Sequence, residues 1–271
     1  MRMANDFASK AAEALVKLRK KKPLVHHITN WVTISECASI TRSLGALPVM
    51  AHAEEEVEEM AGIAGALVLN IGTLTKPLVS AMIKAGRQAN RNGTPVILDA
   101  VGAGATKLRT DSVRKILAEV KIKVIKGNSG EIATLAGAKA EVKGVESVSA
   151  EGDPAVNARA LAKSIGCTVV ITGAEDIVTD GRRLFIVKNG HPRMGEVVGT
   201  GCMAASVVGA FSAVEPDATL AAAYAMTVYD IAGEMAAKEA RGPGSMKQNL
   251  FDAIMAVGPD DVRKGAKVDE A

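Results

Sequence analysis

The sequence predicts an α/β fold in which a mostly parallel central sheet carries helices on both faces. Short runs that are apolar at every position, such as residues 66–69, 96–98 and 169–171, alternate with segments of helical periodicity. A strand covered on both faces reads as such an uninterrupted run, and repeated strand–helix units imply parallel strands joined by crossover helices. The 271 residues are 48% hydrophobic but only 3% aromatic, so the core is built from Ala, Val, Ile and Leu. An α/β fold of this length is commonly undivided, and no internal repeat or low-complexity linker interrupts it, so residues 1–271 read as one domain.

In chain order, residues 6–20 form an amphipathic helix closed by Lys20-Lys21-Lys22, cations that complement a helix C-terminus. Residues 24–28 are extended, and strand alternation places one of His26 and His27 in the core and the other at the surface. A helix over 33–44, with Asn30 as a candidate N-cap, precedes a short strand at 48–51 and an acidic helix at 54–61. A buried strand at 66–71 leads into a helix at 76–91, and the strand at 95–99 ends on a carboxylate. Helix 110–119, strand 122–126 and helix 130–136 follow, then a polar insertion at 139–153. Residues 154–165 and 168–172 are a further helix and strand, and 177–179 with 184–187 form a hairpin about Asp180-Gly181. Everything after residue 200 is expected to be helical.

Composition excludes several classes of function. The formal charge of +3 comes from scattered Lys and Arg, with no basic stripe interleaved with aromatics, which argues against nucleic-acid binding. Cys37, Cys167 and Cys202 are odd in number and form no CxxC pair, and the N-terminus lacks a secretory apolar core. Reduced thiols and a cytoplasmic location are expected. Residues 197–214 carry no formal charge and approach the length of a membrane span. The internal Gly199, Gly201, Gly209, Thr200, Ser206 and Ser212 favour a buried helix, so no membrane association is expected.

Ligands of open α/β sheets gather beyond the carboxyl ends of the strands. There the sequence places Asp99-Ala100-Val101-Gly102-Ala103-Gly104, Lys126-Gly127-Asn128 with Glu131 one turn further on, and Thr172-Gly173. The segment Val198-Gly199-Thr200-Gly201-Cys202-Met203 opens a small-residue helix. Its unpartnered amides and dipole make an anion site, and glycines let a phosphate oxygen approach closely. Asp99 and Glu131 are oxygen donors suited to Mg²⁺, Lys126 is a point charge for a phosphate, and Thr172 is a hydroxyl donor. Together these residues describe phosphoryl transfer, in which a protein mainly positions reactants and neutralises charge. Taken singly, each has a structural alternative: Asp99 or Asn30 as a cap, Glu131 as a first-turn acid, Met50 as a core filler, Trp31 as packing.

Five segments then occur in a specific order: His27-Ile28-Thr29-Asn30, Leu47-Pro48-Val49-Met50-Ala51, Leu98-Asp99-Ala100-Val101-Gly102-Ala103-Gly104, Lys126-Gly127-Asn128-Ser129-Gly130-Glu131-Ile132 and Gly199-Thr200-Gly201-Cys202-Met203. From about Val25 to the C-terminal helices, the chain resembles the hydroxyethylthiazole kinases of the thiamine pathway. The Asn-x-x-Glu and Gly-x-Gly-thiol elements mark their ribokinase-like superfamily. The resemblance implies a three-layer ribokinase-like fold and Mg²⁺-dependent transfer from ATP to hydroxyethylthiazole. It implies that Asn30, Met50 and Gly199 contact the thiazole alcohol, that Lys126 and Thr172 contact ATP, and that Asp99 and Glu131 hold Mg²⁺ directly or through water. Gly199, Thr200, Gly201 and Cys202 would form the anion hole, with Cys202 at the position of the base, and the enzyme would be a homotrimer with sites at subunit interfaces.

Two positions depart from the pattern. Lys126 stands where many members have Arg, which keeps the charge but loses the bidentate fork. Cys202 stands where the wider superfamily has Asp; a helix N-terminus can lower a thiol pKa, and bound phosphate would oppose that. Three other readings stay open on the sequence alone: a kinase for another small alcohol such as a pyrimidine or pyridoxal, a hydrolase with Cys202 as nucleophile, and a nucleotide sensor without catalysis. The hydrolase needs a base, and the sequence places neither His27 nor His191 beside Cys202.

Overall fold

The computed structural model describes residues 2–138, 140–143, 146–150 and 152–271. Its first half runs α1 (Arg2–Lys21), β1 (Leu24–Ile28), α2 (Ile34–Leu44), β2 (Leu47–Val49), α3 (Val57–Ile63), β3 (Ala66–Asn70), α4 (Lys76–Arg91), β4 (Val96–Asp99), α5 (Lys107–Glu119), β5 (Val124–Asn128) and α6 (Ser129–Leu135). Then come β6 (Ala140–Lys143), β7 (Glu146–Ala150), α7 (Pro154–Ile165), β8 (Thr168–Thr172), β9 (Asp176–Thr179) and β10 (Leu184–Val187). A one-turn 3₁₀ helix (Pro192–Glu196) precedes α8 (Thr200–Ser212), α9 (Ala218–Glu239), α10 (Pro243–Ala256), α11 (Pro259–Gly265) and β11 (Val268–Glu270).

One sheet has the order β11-β10-β9-β8-β5-β4-β3-β1-β2. Its members from β2 to β8 run parallel, and β9, β10 and β11 continue it antiparallel. Residues alternate between two buried layers: Ala66 and Val68 of β3 join α1, α2, α8, α9 and α10 on one face, while Leu67 and Leu69 join α3, α4, α5 and α7 on the other. The result is a three-layer α/β fold.

That arrangement corrects the expectation for β1. His26 and His27 are both fully buried, because both faces of this sheet are covered. His26 Nε2 meets the Ala51 carbonyl at 2.8 Å, and His27 Nδ1 meets that of Val25 at 3.1 Å. Several element boundaries also differ, and one element is new. The acidic helix starts at Val57 because residues 54–56 form a turn. Helix α5 starts at Lys107, where the Thr106 hydroxyl accepts the Arg109 N–H at 3.3 Å. The C-terminus ends in a strand, β11, which pairs antiparallel with β10; its sequence Val-Asp-Glu is too short and polar to show a strand pattern. The polar insertion contains the antiparallel pair β6–β7, with residues 139, 144, 145 and 151 outside the described residues.

Helix α8, which accounts for most of the uncharged run, is buried between sheet and α9, and among the described residues no helix is long and apolar enough to cross a membrane. It lies close against the strands: a Cβ on Gly209 would come within 2.5 Å of Val68 Cγ2. Gly209→Val is therefore expected to destabilise the protein by about 1–3 kcal/mol through overpacking, read as a lower midpoint in denaturant unfolding. An unchanged midpoint would mean that α8 does not rest on β3 at Gly209.

Candidate active site

Three neighbouring strands present one polar row at their carboxyl ends. The sheet register pairs Asn70 with Asp99 and Asp99 with Lys126. Since Val68, Ile97 and Val124 face the α8 layer, period-two alternation turns all three polar residues toward α8. Asn70 Nδ2 donates to Asp99 Oδ2 at 2.7 Å, and Lys126 Nζ donates to Asp99 Oδ1 at 3.0 Å. All three side chains are buried.

Asn30, just beyond β1, extends the row. Its Nδ2 reaches Asn70 Oδ1 at 3.0 Å and Cys202 Sγ at 3.4 Å. Its Oδ1 accepts the N–H groups of Val32 and Thr33, each at 3.0 Å, so Asn30 closes an Asx turn ahead of α2 and the N-cap position falls to Thr33. The chain passes outward from β1 to β2 and then back across to β3. Asn30 and Asn70 thus meet where the strand order reverses, the place at which such sheets open a crevice.

Helix α8 points its N-terminus at this row. Gly199, at its N-cap, has φ +98°, and a Cβ there would lie 2.6 Å from Thr33 Cγ2, so both conformation and space require glycine. The first helical bond runs from Met203 N–H to Gly199 O at 2.8 Å. The amides of residues 200–202 precede it and have no partner within the helix. A Cβ on Gly201 would lie 3.1 Å from Lys126 Nζ, which puts the ammonium against the first turn. The Tyr229 hydroxyl anchors that turn by donating to Thr200 O at 3.0 Å. Beside it opens a cavity of about 470 Å³, whose walls include Thr172, Gly173, Thr200, Gly201, Asp176 and Asp230.

Glu131 acts from the edge of the site. Its Oε1 accepts Gly102 N–H at 2.6 Å and its Oε2 accepts Asn128 N–H at 2.7 Å, tying the loop after β4 to the end of β5. The second bond completes a capping box with Asn128. Burial raises its pKa to about 7, with Lys126 pulling downward and Asp99 pushing upward. Burial likewise raises Asp99 against the pull of Lys126 and Asn70. Burial disfavours the Lys126 ammonium, but the charges of Asp99, Glu131 and Cys202 outweigh it and hold the proton on.

The Cys202 thiol is pushed up, first by burial and then by Asp99, with Lys126 opposing. The lowering that a helix N-terminus can supply does not prevail here. Around this thiol stand Asn30, Thr33, Asn70, Asp99 and Lys126. His191 is engaged with Arg193 N–H at the cavity wall, so neither it nor His27 is among those neighbours.

The structure brings Asn30, Asp99, Lys126, Cys202 and residues 199–201 together. Thr172 lies across the cavity, and Glu131 braces the strand ends. Met50 sits half-buried past the end of β2, linked to the Asn30 turn through His52: His52 Nδ1 donates to Met50 O at 3.0 Å, and its Nε2 accepts Thr29 N–H at 3.2 Å. Asn70 was missed, although it ends an apolar strand just as Asp99 does. Tyr229, Asp176 and Asp230 carried no sequence signal, since two lie within helix α9 and one opens the short strand β9.

No group of three His, Cys, Asp or Glu side chains converges as a metal cage among the described residues. Both oxygens of Asp99 and both of Glu131 already accept hydrogen bonds. This donor set fits an ion that retains its waters and is carried on a phosphate, the usual habit of Mg²⁺, and not one enclosed by protein oxygens.

A model of the hydroxyethylthiazole kinase family matches residues 15–260 of the chain. The hydroxyethylthiazole kinase of Methanosarcina mazei is 54% identical over 256 residues, covering 94% of this chain and 98% of the relative. The structure of a hydroxyethylthiazole kinase from Pyrococcus horikoshii is similar with a TM-score of 0.87 at 42% identity, over 96% of this chain and 98% of that one. A ribokinase-like superfamily protein from Enterococcus faecalis shares the fold alone, with a TM-score of 0.61 at 15% identity over 85% and 86% of the two chains.

Asp176 and Asp230 are both buried in the cavity wall, where the charge of one carboxylate disfavours ionisation of the other. Burial and the charge of Asp176 raise Asp230 well above its ordinary value, and burial raises Asp176 to about 6. A folded-state pKa above the unfolded one, about 3.9 for Asp, means the native state binds the extra proton. The stability contributed by that proton is complete below the unfolded pKa and declines as pH rises. Asp230→Asn, which removes the titrating carboxyl and keeps its shape, should therefore melt higher than the parent, by a margin that widens from about pH 5 to about pH 8. A margin independent of pH would show that Asp230 is ionised in the folded protein.

Proposed function

The chain belongs to the hydroxyethylthiazole kinase family, and we propose that it transfers the γ-phosphoryl group of ATP to the primary hydroxyl of hydroxyethylthiazole, giving the thiazole phosphate used in thiamine phosphate synthesis. The observation that carries this reading is the buried Asn70–Asp99–Lys126 row under the open first turn of α8, with Cys202 at its edge. An ammonium, a carboxylate and unpartnered amides around one point suit charge moving between phosphate and alcohol oxygens. The work is done within one ribokinase-like domain.

In this reading ATP occupies the cavity with its phosphates toward residues 199–202, Thr172 donates a hydrogen bond, and Lys126 neutralises phosphate charge. The alcohol lies against Asn30, Met50 and the backbone of Gly199, close to Cys202. Magnesium carried on the nucleotide would supply further charge neutralisation, held through its waters by Asp99 and Glu131. Lys126 serves as a point charge, because its donors are already turned to Asp99 and the α8 turn. Cys202 accepts the hydroxyl proton. It can do so only as the thiolate, which its raised pKa keeps scarce; that scarcity is tolerable because phosphoryl transfer depends chiefly on positioning and charge stabilisation.

The assembly proposed is a homotrimer with each thiazole site completed by a neighbouring subunit. Trp31, Val32 and Val198 flank the site with 57%, 63% and 73% of their surface exposed, an apolar rim that a partner would cover. The free Cys37, Cys167 and Cys202 suit a cytoplasmic enzyme.

Purified protein incubated with Mg·ATP and hydroxyethylthiazole is expected to yield thiazole phosphate by mass spectrometry; turnover of pyridoxal in its place would overturn the substrate. Cys202→Ala should lower kcat by up to about 10²-fold, and Cys202→Asp should keep or raise it. An unchanged kcat in the Ala variant would remove the thiol from the mechanism. Light scattering on a sizing column should give a trimeric mass for the parent and a smaller one for Val198→Glu, with loss of turnover. A monomeric, fully active parent would refute the shared site.

A further inference from the structure

We propose that His52 is a positioning residue that sets the gap between the two walls of the thiazole site, an inference that rests on the function proposed above. The β1–β2 ladder ends at the pair His26–Val49. Beyond it the strands are no longer bonded to each other, and imidazoles take over. His26 reaches Ala51 O, while His52 spans the gap from Thr29 N–H to Met50 O.

The two backbone partners decide the state of the His52 ring. A backbone N–H only donates and a carbonyl only accepts, so Nε2 is bare and Nδ1 carries the proton. The neutral tautomer alone satisfies both bonds. Thr29 immediately precedes Asn30, and Met50 is the residue on the opposite wall. One rigid, planar side chain therefore holds the backbone of both walls at a fixed separation.

Trp31 backs the ring. Its indole packs on the imidazole with centroids 4.9 Å apart and planes at 32°, and the Trp31 backbone N–H donates to Thr73 Oγ1 at 3.0 Å. The loops after β1, β2 and β3 are thereby joined in one contact. None of these bonds reaches the cavity beside Thr172. His52 thus bears on where the alcohol's ring sits and leaves the nucleotide and the phosphate-binding turn alone.

Trp31 is the sole tryptophan of the chain, so its emission reports this contact directly. The test uses the full chain with His52→Phe, which keeps an aromatic ring against Trp31 but loses both backbone bonds, and His52→Gln, whose carbonyl can again accept from Thr29. Loss of the two bonds should raise KM for hydroxyethylthiazole about tenfold in the Phe variant, with kcat and KM for ATP near parental values. Gln should recover part of the loss. Titration of hydroxyethylthiazole without ATP, followed by Trp31 emission, should show the same weakening of Kd.

A Phe variant with parental KM and Kd would overturn the role, as would equal damage to kcat and to KM for both substrates. If the Phe variant does not fold, the Gln variant decides: a parental KM and Kd there with an unfolded Phe variant would make His52 a stability residue only. Failure of the parent to phosphorylate the thiazole would instead refute the proposed function itself.

Discussion

The Lys126–Asp99 ion pair is the constraint around which the rest of the site is organised. Withdrawing two charges from water costs several kcal/mol for each ion, and their attraction offsets this only when further hydrogen bonds complete the geometry. Asn70 supplies the missing bond on Asp99. The pair spans adjacent strands in register, so its geometry is set by the sheet and not by flexible loops. Removing either partner would leave the other buried and uncompensated, which is far more damaging than the pair itself is stabilising.

From that pair follow the demands on α8. The helix must bring its N-terminus down onto the ammonium, and this is possible only if no side chain intervenes at Gly201 and the helix body lies close to the sheet at Gly209. The left-handed Gly199 then lets the chain turn into the helix against Thr33. Tyr229 holds the first turn from behind, and the small residues of α8 fill the layer. The glycines beside Cys202 thus serve the packing of the helix as much as the approach of an anion.

The sheet and most helices were legible because uninterrupted apolar strands and amphipathic helices follow from burial alone. Asp99 and Lys126 were legible because polar residues ending such strands have no place in the core. The two-sided burial of His26 and His27 was not, since alternation describes a strand with one wet face. The edge strand β11 was illegible because three residues with two carboxylates carry no period. His52 and the Asp176–Asp230 pair join segments distant in sequence, and only the folded chain brings their partners within reach. For Cys202, position was predictable but electrostatics were not: the helix terminus is a local feature, whereas burial and the field of Asp99 come from the assembled sheet.

The environment of Cys202 exposes a conflict built into the site. A low-dielectric pocket strengthens every interaction with a transferring phosphoryl group. It also disfavours a thiolate, and Asp99, needed to hold Lys126, adds its own repulsion. An Asp in place of Cys202 would bring a second carboxylate to the same few ångströms, where Lys126 is the cation already paired with Asp99. A neutral thiol avoids that crowding before substrates arrive, at the expense of a ready proton acceptor. Lysine at 126 is consistent with the same economy: with Gly201 against its Nζ and Asp99 at 3.0 Å, the space suits a compact ammonium better than a planar guanidinium fork. The two departures from the family pattern, Lys126 and Cys202, are therefore linked through one carboxylate, and each makes the other easier to bury.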